Sequence, residues 1–336
     1  MMQYPQLNIP PRSQHLWRYT PWKKIHPSKV SEMPNSDSIG FSSGQDSQMG
    51  DSDEIARSFI HAISPVCKKI VLKDETLELD LRCSGHICSG ELNIESSGKS
   101  TIVIRISGDA GWTGLRIRGN VEGSLSMATI NDLAGDGHFL RCEDWVVGRD
   151  SELEFATLSA GGSLNKSDIR VDLANRGAQM RAGIASNGYL SRHDDHHVEI
   201  KHSIGNTDSS FVMHAACDGF SHSVGTGLLS ICEGADGSDA GQVFRNLLLS
   251  EKSRAEAIPE LEVLADDVKA AHGAASAPID VDQLHYLASR GLSSDEASAL
   301  IVEGFLMDAF REIKSEEVVA VMRTRLLVHL ECLVNG

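Results

Sequence analysis

STIVIRISGDAGWTGLRIRGNVEGS, residues 100–124, is the stretch whose reading decides the fold. Ile102, Ile104 and Ile106 alternate with Val103 and Arg105, and Leu115 and Ile117 alternate with Arg116 and Arg118. A period of two sends alternate side chains to opposite faces, so each run is a short strand with one buried face. SGDAGW and NVEGS, beside these runs, carry the Gly, Asn, Asp and Ser that turns require. The same alternation extends outward from about Lys68 to Val243. It places Leu77, Leu79 and Leu81, then Leu153 and Phe155, then Ile169, Val171 and Leu173, then Val198 and Ile200 on buried faces. No helix-length pattern separates them. A sandwich, a barrel and a β-solenoid all satisfy that pattern. Aromatics at 5% and 30 glycines favour the solenoid, in which each coil adds one thin layer.

The flanks read differently. Residues 1–65 form a short N-terminal segment, within which 31–53 (SEMPNSDSIGFSSGQDSQMGDSD) has little to bury and reads as a flexible linker. EIARSFIHAI, 54–63, has helical spacing, with Ile55, Phe59 and Ile63 on one face. The β core is assigned to 66–243 and a helical region to 244–336. In the latter, GQVFRNLLLSEKSRAEA reads as helix, and DVDQLHYLASRG ends at Gly291, a natural residue after a helix C-terminus. Ser293 and Glu296 form a capping-box pair. From Ser315 a last amphipathic helix turns Val318, Val321, Leu326 and Leu330 inward.

The chain has 336 residues, 41% hydrophobic, enough for a sizeable core. Its net charge of −16 argues against nucleic acid or an anionic membrane as partner. Seven cysteines at irregular spacing, with no C-x-x-C, do not make a disulfide framework and point to a reducing cytoplasm. The first residues lack the apolar run of a secretory signal, and no stretch has the length of a membrane span.

Candidate chemistry is sparse. SRHDDHHVEIKH, 191–202, groups His193, His196, His197 and His202. On a strand these alternate between faces, and a metal would need further ligands from another coil. The pattern favours polar decoration of an outward face and turn. No Walker A motif is present, so this chain binds no ATP in that manner. The adjacent acid pairs Asp194–Asp195 and Asp266–Asp267 would point apart on strands and do not form a glycosidase pair. Cys217 and Cys232 read as small hydrophobes. His272, on residue type alone, reads as a structural hydrogen-bonder.

One long run carries a resemblance. Gln242, Arg245-Asn246-Leu247-Leu248-Leu249-Ser250, Pro259-Glu260-Leu261-Glu262-Val263, Asp266-Asp267-Val268, His272-Gly273-Ala274, Tyr286-Leu287-Ala288-Ser289-Arg290-Gly291, Ala297 and Gly304-Phe305 follow in order. This resembles the core of the SufB/SufD family of iron–sulfur cluster assembly scaffolds. LWRYTPWKKI, 16–25, is similar to a segment of SufD-type members. The resemblance implies a right-handed parallel β-helix with flanking N- and C-terminal helices, and a non-catalytic role. It also implies pairing with a SufB-like subunit or a second copy, and docking of a SufC-like ABC-type ATPase through the C-terminal helices. Tyr286, Arg290, Gly291 and Phe305 are the implied docking residues. A transient iron–sulfur cluster would be shared with the partner, with His272 the candidate ligand. The family's thiolate two residues before that histidine is Ala270 here, so this copy reads as the supporting subunit. The N-terminal region is short for a SufD-type member. The alternative reading is a β-solenoid that binds or acts on carbohydrate.

Overall fold

The computed structural model describes Tyr4 and residues 6–335. Strands β1 (Asp37–Ser38), β2 (Gly40–Phe41) and β3 (Gln45–Asp46) are short. The solenoid proper begins with β4 (Cys67–Lys73) and β5 (Thr76–Cys83). Next come β6 (Ile87–Gly108) and β7 (Trp112–Leu133), each 22 residues, then β8 (His138–Val147) and β9 (Glu152–Ser159). Strands β10 (Leu164–Leu173), β11 (Gln179–Gly188), β12 (His193–His202) and β13 (Asp208–Cys217) continue the winding. It finishes with β14 (His222–Ile231), β15 (Asp239–Leu248), β16 (Arg254–Val263) and β17 (Lys269–Pro278).

Ladders among these long strands are parallel. One sheet stacks β4, the first halves of β6 and β7, then β8, β10, β12, β14 and β16. The other stacks β5, the second halves of β6 and β7, then β9, β11, β13, β15 and β17. The result is a β-solenoid of about eight turns. Strands β6 and β7 serve both sheets by bending at stacked Gly98 and Gly123, whose φ angles are 67° and 110°. A Cβ on Gly123 would lie 2.3 Å from the Gly98 carbonyl oxygen, so only glycine fits the bend.

The core lies between the sheets. Leu79, Leu81, Ile102, Ile104, Ile106, Leu115, Ile117, Leu153, Phe155, Ile169, Val171, Leu173, Val198 and Ile200 all fall in it, as the alternation predicts. Each fully buried Leu, Ile or Phe contributes about 1.5–3 kcal/mol relative to exposure.

Two covers lie on the outer faces. Trp17 and Trp22, the latter opening α1 (Trp22–Ile25), join Phe59 and Ile60 of α2 (Ile55–Ile63) over Trp112, Leu140 and Leu164 of the first sheet. The Trp112 indole donates to the Ile25 carbonyl at 2.7 Å. After the solenoid come α3 (Val281–Ser289), α4 (Ser294–Met307) and α5 (Glu316–Asn335). Helices α4 and α5 bury Val302, Leu306, Val318, Met322, Leu326 and Leu330 against the second sheet. The Ser293–Glu296 capping box is formed, and Gly291 takes φ 98° beyond α3.

Two expectations are corrected. Residues 244–278 are strand and turn, not helix, and the solenoid runs on through β15, β16 and β17. Leu247 is buried under the helices while Leu248 packs on the core. With both faces of β15 covered, the alternation that marks a strand is lost. Residues 31–53 are not a free linker. Strand β2 pairs antiparallel with β5 and β3 with β4, sealing the first coil, and Ile39 and Met49 are buried.

Candidate functional site

The last coil differs from every other. None of the ten residues of β16 or of β17 is buried. The ladders end at these strands: β16 is held by β14 and β17 by β15. On β17, Ala270 and His272 stand over Ala240 and Gln242, both buried in the coil beneath. They therefore continue interior-facing columns that simply stop. His272 is exposed at that open end, and Ala270 beside it is half-buried. Gln242 is itself 1% exposed; its Nε2 donates to the Glu260 carbonyl at 2.8 Å, and its Oε1 has no partner.

The implied docking residues lie around α3 and α4. Tyr286 is 58% exposed, with the Arg290 guanidinium 5.2 Å above its ring and a 3.3 Å bond from Arg290 to its hydroxyl. Gly291 closes that helix. Phe305 points the other way, half-buried, its ring stacked on His214 at 4.7 Å. The His214 ring also bonds the Phe305 carbonyl at 2.6 Å. Phe305 thus ties α4 to β13, whereas Tyr286 and Arg290 form a free surface pair.

The histidine cluster is not outward decoration. His193, His196, His197 and His202 are all buried. Neighbouring coils, the N-terminal cover and, for His202, the turn and strand that follow it supply their partners. His193 bonds Thr20 at 2.9 Å, His196 bonds Ser167 at 2.7 Å, and His197 bonds Thr226 at 2.8 Å. His202 bonds Thr207 and Ser209 at 2.7 and 2.8 Å. Burial holds each of the four imidazoles down to about 4, so they are neutral near pH 7. Among the described residues no three His, Cys, Asp or Glu side chains could hold a metal ion together.

A polar layer inside the middle coils was not foreseeable from composition. Arg141 reaches Thr157 at 3.2 Å and pairs with Glu143, whose other oxygen accepts from the Trp145 indole at 2.7 Å. Asp194 accepts from Arg192 at 2.7 and 2.9 Å, Asn165 at 2.9 Å and Ser186 at 3.0 Å. The charges in this layer are thus paired and hydrogen-bonded. The only signal in the sequence is a charged residue at an interior-facing position, as Glu143 is between Ile117 and Ile169 in the ladder. On the outer face Arg57 of α2 binds Asp144 at 2.9 Å and Asp168 at 2.5 Å. Burial pushes the Asp168 carboxyl up, but Arg57 and Arg170 overcome it and hold it below the ordinary range. GFSSG, 40–44, has the G-x-S-x-G spacing of a nucleophile elbow. Here Ser42 only braces an edge, its hydroxyl accepting from the Asp80 amide at 2.9 Å.

Comparison with known proteins bears on these features. Residues 93–305 match the family described as "SUF system FeS cluster assembly, SufBD core domain". An iron–sulfur cluster assembly SufBD family protein of Mycobacterium leprae is 26% identical over 96% of this chain and 90% of its own length. The iron–sulfur cluster assembly protein SufD of Bacillus subtilis is 31% identical over 51% of this chain and 39% of its own length. That of Escherichia coli is 22% identical over 67% and 54%. The chain therefore spans less than two thirds of either SufD protein.

Proposed function

The chain belongs to the SufBD family and so to iron–sulfur cluster assembly, and from that premise we propose that it is the supporting, SufD-like scaffold subunit of an assembly complex. The observation that carries this reading is the open last coil. Bare strand edges and a truncated core invite a further layer, and solenoids generally close their ends with a cap. A SufB-like subunit, or a second copy of this chain, supplies that layer.

His272 then lies in the seam between the two. The cluster is cargo, not a resident cofactor. An imidazole can take one place among its ligands, with thiolates in the others. With Ala270 in place of a thiol, this chain offers one ligand there and the partner offers the rest. The subunit itself is non-catalytic. The helices beyond Ser293, with Tyr286 and Arg290 exposed beside them, are the docking face for a SufC-like ATPase. Among the described residues no helix is long and apolar enough to cross a membrane. The working compartment in this reading is the cytoplasm.

Anaerobic reconstitution with and without the co-expressed partner tests the shared site, with His272→Ala in parallel. The expected result is a cluster only in the paired sample, lost in the variant. A cluster on the isolated chain, or one in the pair that ignores His272→Ala, contradicts it. Truncation after Ser293 is expected to abolish ATPase co-purification; equal recovery contradicts the docking face.

A further inference from the structure

Where three successive coils meet α4, a cavity of about 160 Å³ opens on the surface. Asn187 at the end of β11, Asp218 in the next turn of that stack and Leu249 after β15 form one wall. Asp295 in the first turn of α4, Val302 about two turns further along the same helix and Leu330 of α5 form the other. Leu249, Val302 and Leu330 give the cavity apolar lining, the carboxylates stand at its rim and Asn187 lies buried in its wall. Asp218 and Asp295 are exposed carboxylates, and neither has a cationic partner among the described residues. Asn187 is 3% exposed, yet its Nδ2 has no hydrogen-bond partner.

An apolar channel ending in two unpaired carboxylates complements one kind of group, a methylene stem with a cationic head. Lysine and arginine side chains have that form. A residue within a peptide also carries a carbonyl, which can accept from the waiting Asn187 amide. The cavity shares Ala299 and Leu330 with a second one, of about 350 Å³, that continues between α4 and α5 past Leu300 and Leu327. Both of these leucines are exposed. The two cavities adjoin along α4 and α5 at the shared Ala299 and Leu330, and a net charge of −16 draws basic partners to the groove they form.

We propose that the Asn187–Asp218–Asp295 cavity is a socket for one arginine or lysine side chain of a protein partner docked along the α4–α5 groove. This rests on the reading that the C-terminal helices dock a partner, and it names the anchor of that contact.

The first test does not need the partner. N-acetyl-arginine-N-methylamide is titrated into the full chain and followed by the methyl NMR signals of Leu249, Val302 and Leu330. N-acetyl-norleucine-N-methylamide serves as the uncharged control. The arginine probe is expected to shift those methyls with saturation, and the norleucine probe to shift them at least fivefold more weakly. Asp218→Asn/Asp295→Asn, at two exposed positions, is expected to weaken the arginine probe roughly fivefold, the scale of lost partly exposed charge pairs. Its thermal midpoint reports that the fold is intact. Equal binding of both probes, no methyl shift, or an indifferent double variant overturns the socket. The second arm measures the co-purified ATPase. If it binds the wild-type chain and the double variant equally, the docking reading stands and the socket falls. If the arginine probe saturates but no ATPase binds, the socket stands for another basic partner and the docking reading falls.

Discussion

The two ends of the solenoid are built to opposite rules. At the first coil, β2 and β3 turn back and pair antiparallel with β5 and β4, and Ile39 sinks into the core beside them. Both edge strands are thereby blunted by the chain itself. At the last coil, among the described residues, no strand returns to pair, and His15 of the N-terminal segment touches β16 through Glu260 at 2.8 Å. Strands β16 and β17 expose every position at least in part, and the interior column ends on His272. One chain, with one repeating architecture, closes one terminus and leaves the other for something else. The difference teaches that stability must come from the closed end and the two outer covers, and under the proposed pairing the open end is the surface held for association.

Substitutions should then be costly near the closed end and cheap at the open one. Arg57→Ala removes the cation between Asp144 and Asp168 and leaves the buried Asp168 carboxylate with Arg170 alone. Urea denaturation should show a loss of about 3–5 kcal/mol. A loss below about 1 kcal/mol would remove the α2 cover as a stabilising element. Ile39→Ala, in the returning segment, should cost about 2 kcal/mol or more by the same assay. A neutral result would mean that the seal over the first coil carries no load.

Acid should act on the middle coils rather than on either end. His193, His196, His197 and His202 are held down to about 4 by burial, against about 6.5 in an unfolded chain. Above 6.5 both states are neutral and these groups add no pH dependence. Between 6.5 and 4 the unfolded chain binds protons that the folded one refuses, so stability falls as pH falls. Below about 4 the folded groups titrate too and this contribution levels off. The urea midpoint should drop from pH 7 to pH 4.5; an unchanged midpoint would contradict the neutral buried state.

Smaller effects separate the helices from the open coil. Ser293→Ala breaks the capping box of α4 and should cost about 1 kcal/mol. His272→Ala, at an exposed position, should change the stability of the isolated chain by less than about 0.5 kcal/mol. A large loss there would make His272 a structural residue and weaken its assignment to the seam.

Much of this was legible in the residues. Alternation such as Leu77-Glu78-Leu79-Asp80-Leu81 reports a sheet with unlike faces, and the family motif from Gln242 to Phe305 lies where the open coil meets the helices. What failed has physical causes. Leu247-Leu248-Leu249 reads as helix because α4 and α5 cover the outer face and the core covers the inner one. Lys269–Pro278 is small and alanine-rich because the last coil fully buries none of its residues, so no period marks it. The burial of the histidines depends on which residues stand above and below, and the coil length is not constant. It is 25 residues from Ile87 to its ladder partner Trp112 and 32 from His222 to Arg254. Without a fixed repeat, Ser167 over His196 and Thr226 beside His197 could not be paired from the chain alone.

Amide hydrogen exchange at the two ends tests the central claim most directly. In the isolated chain, β4 and β5 should be protected and β16 and β17 should exchange quickly. On pairing with the SufB-like subunit, or on self-association, residues 254–278 should gain protection while the first coil stays unchanged. Protection of β16 and β17 in the monomer, or exchange there that pairing leaves untouched, would contradict the open end as the assembly surface.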